Sequence, residues 1–232
     1  MPLNFTTTRE AASLHGVKIC VHGRAGVGKT TLVKTLPKPL LLSAESGILS
    51  LRNEDIPTIV IKTFQDFRDA YAFVSTSEHA AEFESVALDS ISEIAEVCLA
   101  NEMAMTKDGR KAYGELNTKM SEMIRKFRDL SGKHVYFSAK MGQFTDEVTS
   151  VTRYGPHMPG RSLTQSIPYF FDELFCLDIG KVPDTGQEYR FLRTKTDLQF
   201  EAKDRSGALD PMEEPHLGKV INKILAAVEE SN

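Results

Sequence analysis

An α/β fold, mainly a parallel sheet flanked by helices with a C-terminal antiparallel hairpin extension, is predicted by three features of this sequence. Strand and helix signals alternate from residue 17 to about residue 140, the pattern of a parallel sheet wrapped by helices. Within that stretch, Gly23-Arg24-Ala25-Gly26-Val27-Gly28-Lys29-Thr30 fits the pattern G-x-x-x-x-G-K-[ST]. The apolar run Val17–Val21 reads as a buried strand feeding it, and Thr31-Leu32-Val33-Lys34 continues as a helix. Beyond residue 170, the strand-like runs Leu174–Ile179 and Tyr189–Thr194 flank Pro183-Asp184-Thr185-Gly186, a hairpin turn.

The other elements follow from local punctuation and period. Pro37-Lys38-Pro39 stops the first helix, and Leu40–Glu45 reads as a second strand ending in a carboxylate. Asn53-Glu54-Asp55 precedes a strand over Ile56–Ile61. Phe64, Phe67, Ala70, Tyr71 and Val74 recur at helical spacing and predict a helix over Phe64–Ser75. Ser85–Asp89 is the next strand, again ending in an acid. Helices are expected at about Ile91–Met105 and Gly114–Leu130, separated by the polar stretch Thr106–Tyr113. His134–Ser138 forms another strand. Met141–Gln165, with Gly142, Gly155, Pro156, Pro159 and Gly160, shows no clear period and reads as a long irregular segment. A helix over about Leu217–Val228 closes a single domain, residues 1–232, whose core spans about 15–212.

Composition narrows the class. Hydrophobic content of 41% and charged content of 26% over 232 residues suit a globular chain with a sizeable core. No apolar run is long enough to span a bilayer and no secretory pattern is present, so a cytoplasmic protein without a membrane partner is expected. Cys20, Cys98 and Cys176 are far apart and read as core thiols, and the six histidines lack ligand spacing. A net charge of −4 argues against a wholly basic nucleic-acid coat, but not against a local basic groove.

The glycine-rich segment carries the first chemistry. Glycines allow the sharp turns that point successive N–H groups, from Gly23 through Thr31, at a polyphosphate. Lys29 is expected to reach the terminal phosphates of ATP, and Thr30 to offer its hydroxyl to Mg²⁺. Asp89 ends an apolar strand about sixty residues later and is expected to hold the Mg²⁺ water shell; a plain strand end is the alternative. Glu45 ends the strand after the P-loop helix, where a carboxylate can polarise an attacking water. A solvated acid at the start of a loop is the competing reading.

The P-loop Gly23–Thr30, the post-strand Glu45 and the Asp89-Ser90 pair, in this order, resemble the core of the RecA-like P-loop ATPases. The tail Phe200–Asp210, with Lys203-Asp204-Arg205, is similar to phage-encoded, shortened RecA-like single-strand annealing proteins of the phage nucleotide-binding group. The likeness spans residues 15–212. It implies ATP hydrolysis, stimulated by single-stranded DNA, in phage recombination or replication, with strand annealing as the output. It further implies a homo-oligomer, ring or filament, in which Lys203 and Arg205 reach the γ-phosphate held by the neighbouring subunit, and a possible single-strand-binding protein as partner. A solvated polar loop is the plainer reading of these two cations.

Two segments are candidate DNA contacts by their order along the chain. Thr106–Tyr113 carries Lys107, Arg110, Lys111 and Tyr113. Met141–Gln165 carries Arg153, Tyr154, His157 and Arg161, with Lys140 just before it, opposed by Asp146 and Glu147. Cations contact phosphates and aromatic rings stack on bases, yet ordinary solvated loops would look alike. Lys140 could sense the γ-phosphate in cis; here the chain departs from RecA proteins, with Phe137-Ser138-Ala139-Lys140 where they place a polar Asn-Gln pair, and Gln143, three residues further on, is the candidate to take over that switch. Two other function classes use the same P-loop: a nucleoside or nucleotide kinase, for which 141–165 has only two arginines to form a lid, and a non-catalytic nucleotide-dependent assembly switch.

Overall fold

The computed structural model describes residues 6–8, 15–45, 47–145 and 150–230. Ten strands form one sheet: β1 (Lys18–Gly23), β2 (Pro39–Ser43), β3 (Thr58–Val60), β4 (Ser85–Asp89), β5 (His134–Thr145), β6 (Thr152–His157), β7 (Glu173–Lys181), β8 (Glu188–Arg193), β9 (Lys203–Asp204) and β10 (Met212–Glu213). Across the sheet the order is β10-β8-β7-β1-β5-β4-β2-β3, with β6 on β5 and β9 on β7. The run from β7 to β3 is parallel, and β6, β8, β9 and β10 add to it antiparallel.

Strand alternation sends side chains to two cores. Cys20, Leu40, Leu42, Val86, Leu88, Val135 and Phe137 face one layer. It is covered by α1 (Phe64–Thr76), α2 (Ile91–Met105), α3 (Gly109–Arg128) and α4 (Arg161–Phe170). Ile19, Val21, Leu41, Ala87 and Tyr136 face the other, which is closed by the segment after the P-loop and by α5 (Leu217–Glu230). Helix starts are capped as the sequence allows. Thr63 and Asp66 form a reciprocal capping box on α1, Ser90 accepts from Glu93 N–H at 3.3 Å, and Asp108 accepts from Arg110 N–H at 2.9 Å.

Three expectations are corrected. The helix after the P-loop is a six-residue 3₁₀ segment, Thr30–Thr35. The prolines at 37 and 39 leave room for no more, and short stretches favour this tighter coil. The polar stretch Thr106–Tyr113 is not a loop beyond Asp108: α3 begins at Gly109, so Arg110, Lys111 and Tyr113 ride on its first turns. The described residues of Met141–Gln165 are largely regular. β5 runs on to Thr145, pairs with β6, and α4 follows. Gly142 and Gly155 face each other across this hairpin and leave room for the side chains of His157 and Glu201 respectively. Pro156 is tolerated because, on the side of β6 away from β5, the backbone pairs only at Tyr154, with Gln199 and Glu201, and not at Pro156. Asp146 and Glu147 lie outside the described residues.

Candidate nucleotide site

The P-loop leaves the C-terminal end of β1, where the N–H groups of a loop can point away from the sheet into solvent. Gly26 and Gly28 have φ of 75° and 108°, a backbone that other residues adopt only with strain, so their glycines fix the loop's path. Beneath it, the buried Tyr136 of β5 donates its hydroxyl to the Lys29 carbonyl at 2.9 Å. Lys29 Nζ bends back onto the carbonyls of Gly23 and Arg24 at 2.8 and 3.0 Å. Burial lowers its pKa from the usual lysine value, and the charges of Glu45 and Asp89 pull it back up.

The acids converge on the same point. The Thr30 hydroxyl donates to Asp89 Oδ2 at 2.7 Å, and Ser138 of β5 donates to the other oxygen, Oδ1. β5 lies between β1 and β4, which is why a serine from it reaches under Asp89. A hydroxyl and a carboxylate held in contact are hard oxygen donors that fit Mg²⁺. Glu45 follows β2, and its Oε1 accepts from the Ser90 hydroxyl at 2.6 Å. The peptide between Asp89 and Ser90 is cis. Thus Lys29, Thr30 and Glu45 border one cavity of about 960 Å³, with Asp89 in contact with Thr30 at its floor. Lys140, Gln143, Tyr154 and Arg190 complete the wall. Ser138, Tyr136 and Arg190 are site residues that sequence reading missed, and Ser90, noted there only as the neighbour of Asp89, holds Glu45. A serine or tyrosine on a strand carries no motif, and only the sheet order brings them here.

A family model described as an AAA domain matches residues 15–206. The chain belongs to this family. Among solved structures, a KaiC-like protein from the hyperthermophilic archaeon Pyrococcus horikoshii OT3 is similar with a TM-score of 0.42 and 18% identity, over 77% of this chain and 79% of that one. A likeness of this degree says nothing about activity. No curated protein is significantly similar to the chain.

In this AAA domain the remaining sequence candidates fall in three places. Lys203 and Arg205 are not brought to the nucleotide cavity of their own chain. β9 pairs with the start of β7, Lys203 opposite Leu174, and Leu174 is level with Cys20 of β1. Arg205 is therefore near the level of Lys18, about 16 Å from Gly23 at strand spacing. Lys203 Nζ donates to the Pro168 carbonyl at 2.7 Å, and Arg205 pairs with Asp172 at 2.7 Å on the surface.

Of the DNA candidates, Tyr113, Arg153 and Arg161 come together. Tyr113 packs over Gly160, which precedes α4, and Gly160, Arg153 and Arg161 line a second cavity of about 1020 Å³. Lys107, Arg110 and Lys111 are exposed beside Tyr113. Tyr154 instead borders the nucleotide cavity and stacks on Phe200, centroids 5.3 Å apart. Lys140 is held by Glu93 at 2.8 Å and Glu96 at 2.6 Å. Burial lowers its pKa, but those two bonds raise it overall, so it is a fixed cation at the rim.

Proposed function

We propose that this AAA domain is a RecA-like ATPase that binds single-stranded DNA, hydrolyses ATP in response, and promotes strand annealing in phage recombination or replication. The observation that carries this reading is the contact between the two cavities. Gly142 and Gln143 of β5 border both the nucleotide cavity and the cavity holding Arg153 and Arg161. A strand shared by two sites gives a physical route by which a polynucleotide on one side can reset the geometry of the other. The basic and aromatic side chains of the second cavity suit a phosphate backbone and unstacked bases.

In the hydrolysis step Lys29 and the loop N–H groups hold the phosphates. Mg²⁺, when bound by Thr30 and the shell of Asp89, neutralises charge on the phosphoryl oxygens. Glu45, held by Ser90 through one oxygen, has the acceptor capacity to orient a water and take its proton. Head-to-tail assembly, with Lys203 and Arg205 of one subunit at the site of the next, belongs to the same reading.

ATP hydrolysis measured with and without single-stranded DNA, at low salt and with duplex DNA as control, tests the proposal. Strong stimulation by single strands is expected, and Glu45→Gln is expected to bind ATP while turnover falls by about 10²-fold or more. If single-stranded DNA neither binds nor stimulates, the polynucleotide role is wrong, and a phosphotransferase or nucleotide switch takes its place.

A further inference from the structure

The β7–β8 hairpin extends past the end of β1. β7 runs parallel to β1 with His22 level with Cys176, so Ile179 stands three residues beyond that level. Arg190 of β8 is the antiparallel partner of Ile179. The hairpin therefore carries Arg190 to the height of the P-loop, and there the side chain meets it. A methyl group built on Gly28 would lie 3.5 Å from Arg190 Nε and 3.3 Å from Thr31 Oγ1. Arg190 borders the same cavity as Gly28, Lys29, Thr30 and Thr31.

The charge is unspent. Arg193, three residues along and on the opposite face of β8, is held by Asp178 and Asp197 at 3.4 and 2.7 Å. Arg190 is exposed, and among the described residues no carboxylate pairs with it. Its direction of approach is also distinct. Asp89 and Glu45 come from β4 and β2, on one flank of β1, whereas β7 and β8 lie on the other. Arg190 thus reaches the Gly28–Thr31 part of the loop from the flank opposite the acids that mark the terminal phosphate.

We propose that Arg190 is a nucleotide-binding residue acting from within the same chain, its guanidinium on the oxygens of the α- and β-phosphates. The proposal rests on the reading of Gly23–Thr30 as a phosphate cradle. A guanidinium offers a planar fork of N–H donors matched to phosphate oxygens, and it stays charged throughout the working pH range. The Arg190 side chain stands within van der Waals reach of Gly28, against the loop itself. ATP and ADP share these two phosphates, so Arg190 holds both nucleotides and does not report hydrolysis.

The test is calorimetric titration of ATP and of ADP into the full chain and into Arg190→Ala and Arg190→Lys, at low salt. Arg190→Ala is expected to weaken both nucleotides alike, by about 10–100-fold for loss of a charge-assisted contact, with Arg190→Lys recovering part of it. The side chain is exposed, so unchanged thermal unfolding of both variants without nucleotide is the control for folding. Equal binding by Arg190→Ala and wild type overturns the proposal. So does a loss confined to ATP, which would put the guanidinium on the γ-phosphate. A loss that appears only at protein concentrations where chains associate would transfer the contact to a neighbouring subunit and overturn the same-chain assignment. If the wild-type chain binds neither nucleotide, the phosphate-cradle reading itself has failed, an outcome separate from the others.

Discussion

At the scale of single residues, Glu173 and His22 show how burial writes pH dependence into the fold. Glu173 begins β7 and is buried; burial first, then the charge of Asp204, pushes its carboxyl up to about 8. A group whose folded pKa is raised contributes stability that is complete below its unfolded pKa, about 4.5, and is lost as pH rises through about 8. His22 has the opposite sign. Burial lowers it to about 4, so its contribution is present above about 6.5 and is lost as pH falls through 4. Glu173→Gln keeps the shape of the protonated acid and removes its titration. Wild type is expected to lose stability between pH 6 and 8 relative to this variant, at about 2–4 °C of Tm for each kcal/mol in a chain of this size. Thermal unfolding of the pair at several pH values checks it, and because His22 and Lys18 are common to both, their titrations cancel. Parallel curves would remove Glu173 as the source.

Among the elements, α1 and the β5–β6 hairpin teach different lessons. The apolar spacing of α1 announced both its type and its buried face, because a 3.6-residue period is a property of the helix itself. Phe67 is wholly buried, stacked on Phe127 of α3 at 5.0 Å and edge-on to Phe64 at 6.0 Å. Phe67→Ala is expected to cost about 3–5 kcal/mol through lost burial and the cavity left behind, measured by denaturant unfolding. A cost under about 1 kcal/mol would mean that α1 closes over the gap. The hairpin gave no such announcement. Its glycines and proline looked like breakers along the chain, but in the sheet they answer Glu201, His157 and an edge that is bridged only at Tyr154. α4 was hidden in the same way. Leu163, Ile167 and Phe170 have helical spacing, yet Gly160 before them and Pro168 within the helix masked it.

For the whole molecule, the location of Lys203 and Arg205 sets the test of the proposed assembly. Within one chain Lys203 is level with the middle of β1 and Arg205 with its start, both away from the P-loop. The proposed contact with phosphate would therefore be made at another subunit's site. If they act in trans, an equal mixture of Lys29→Ala and Arg205→Ala chains forms some interfaces that join two intact halves, and part of the ATPase activity lost by each variant alone returns. For a dimeric contact formed at random, about a quarter of the interfaces are intact. Absence of rescue in a mixture shown to co-assemble would leave Arg205 with its surface pair to Asp172 and no role in hydrolysis.

The amino-acid sequence by itself determined the P-loop, the strand-end acids Glu45 and Asp89, and the alternation that makes a parallel α/β sheet. Each of these is a local pattern, readable from period, turn chemistry or spacing. It also announced the β7–β8 hairpin through its turn, though nothing in that turn marked Arg190. Tertiary structure alone decided which strand lies beside which. By inserting β5 between β1 and β4 it brought Ser138 to Asp89 and Tyr136 under Lys29, and by laying β7 against β1 it brought Arg190 to Gly28. Residues 49 to 162 positions apart meet there because backbone hydrogen bonds and burial on both faces fix the strand order, and neither leaves a mark at the single residues it joins.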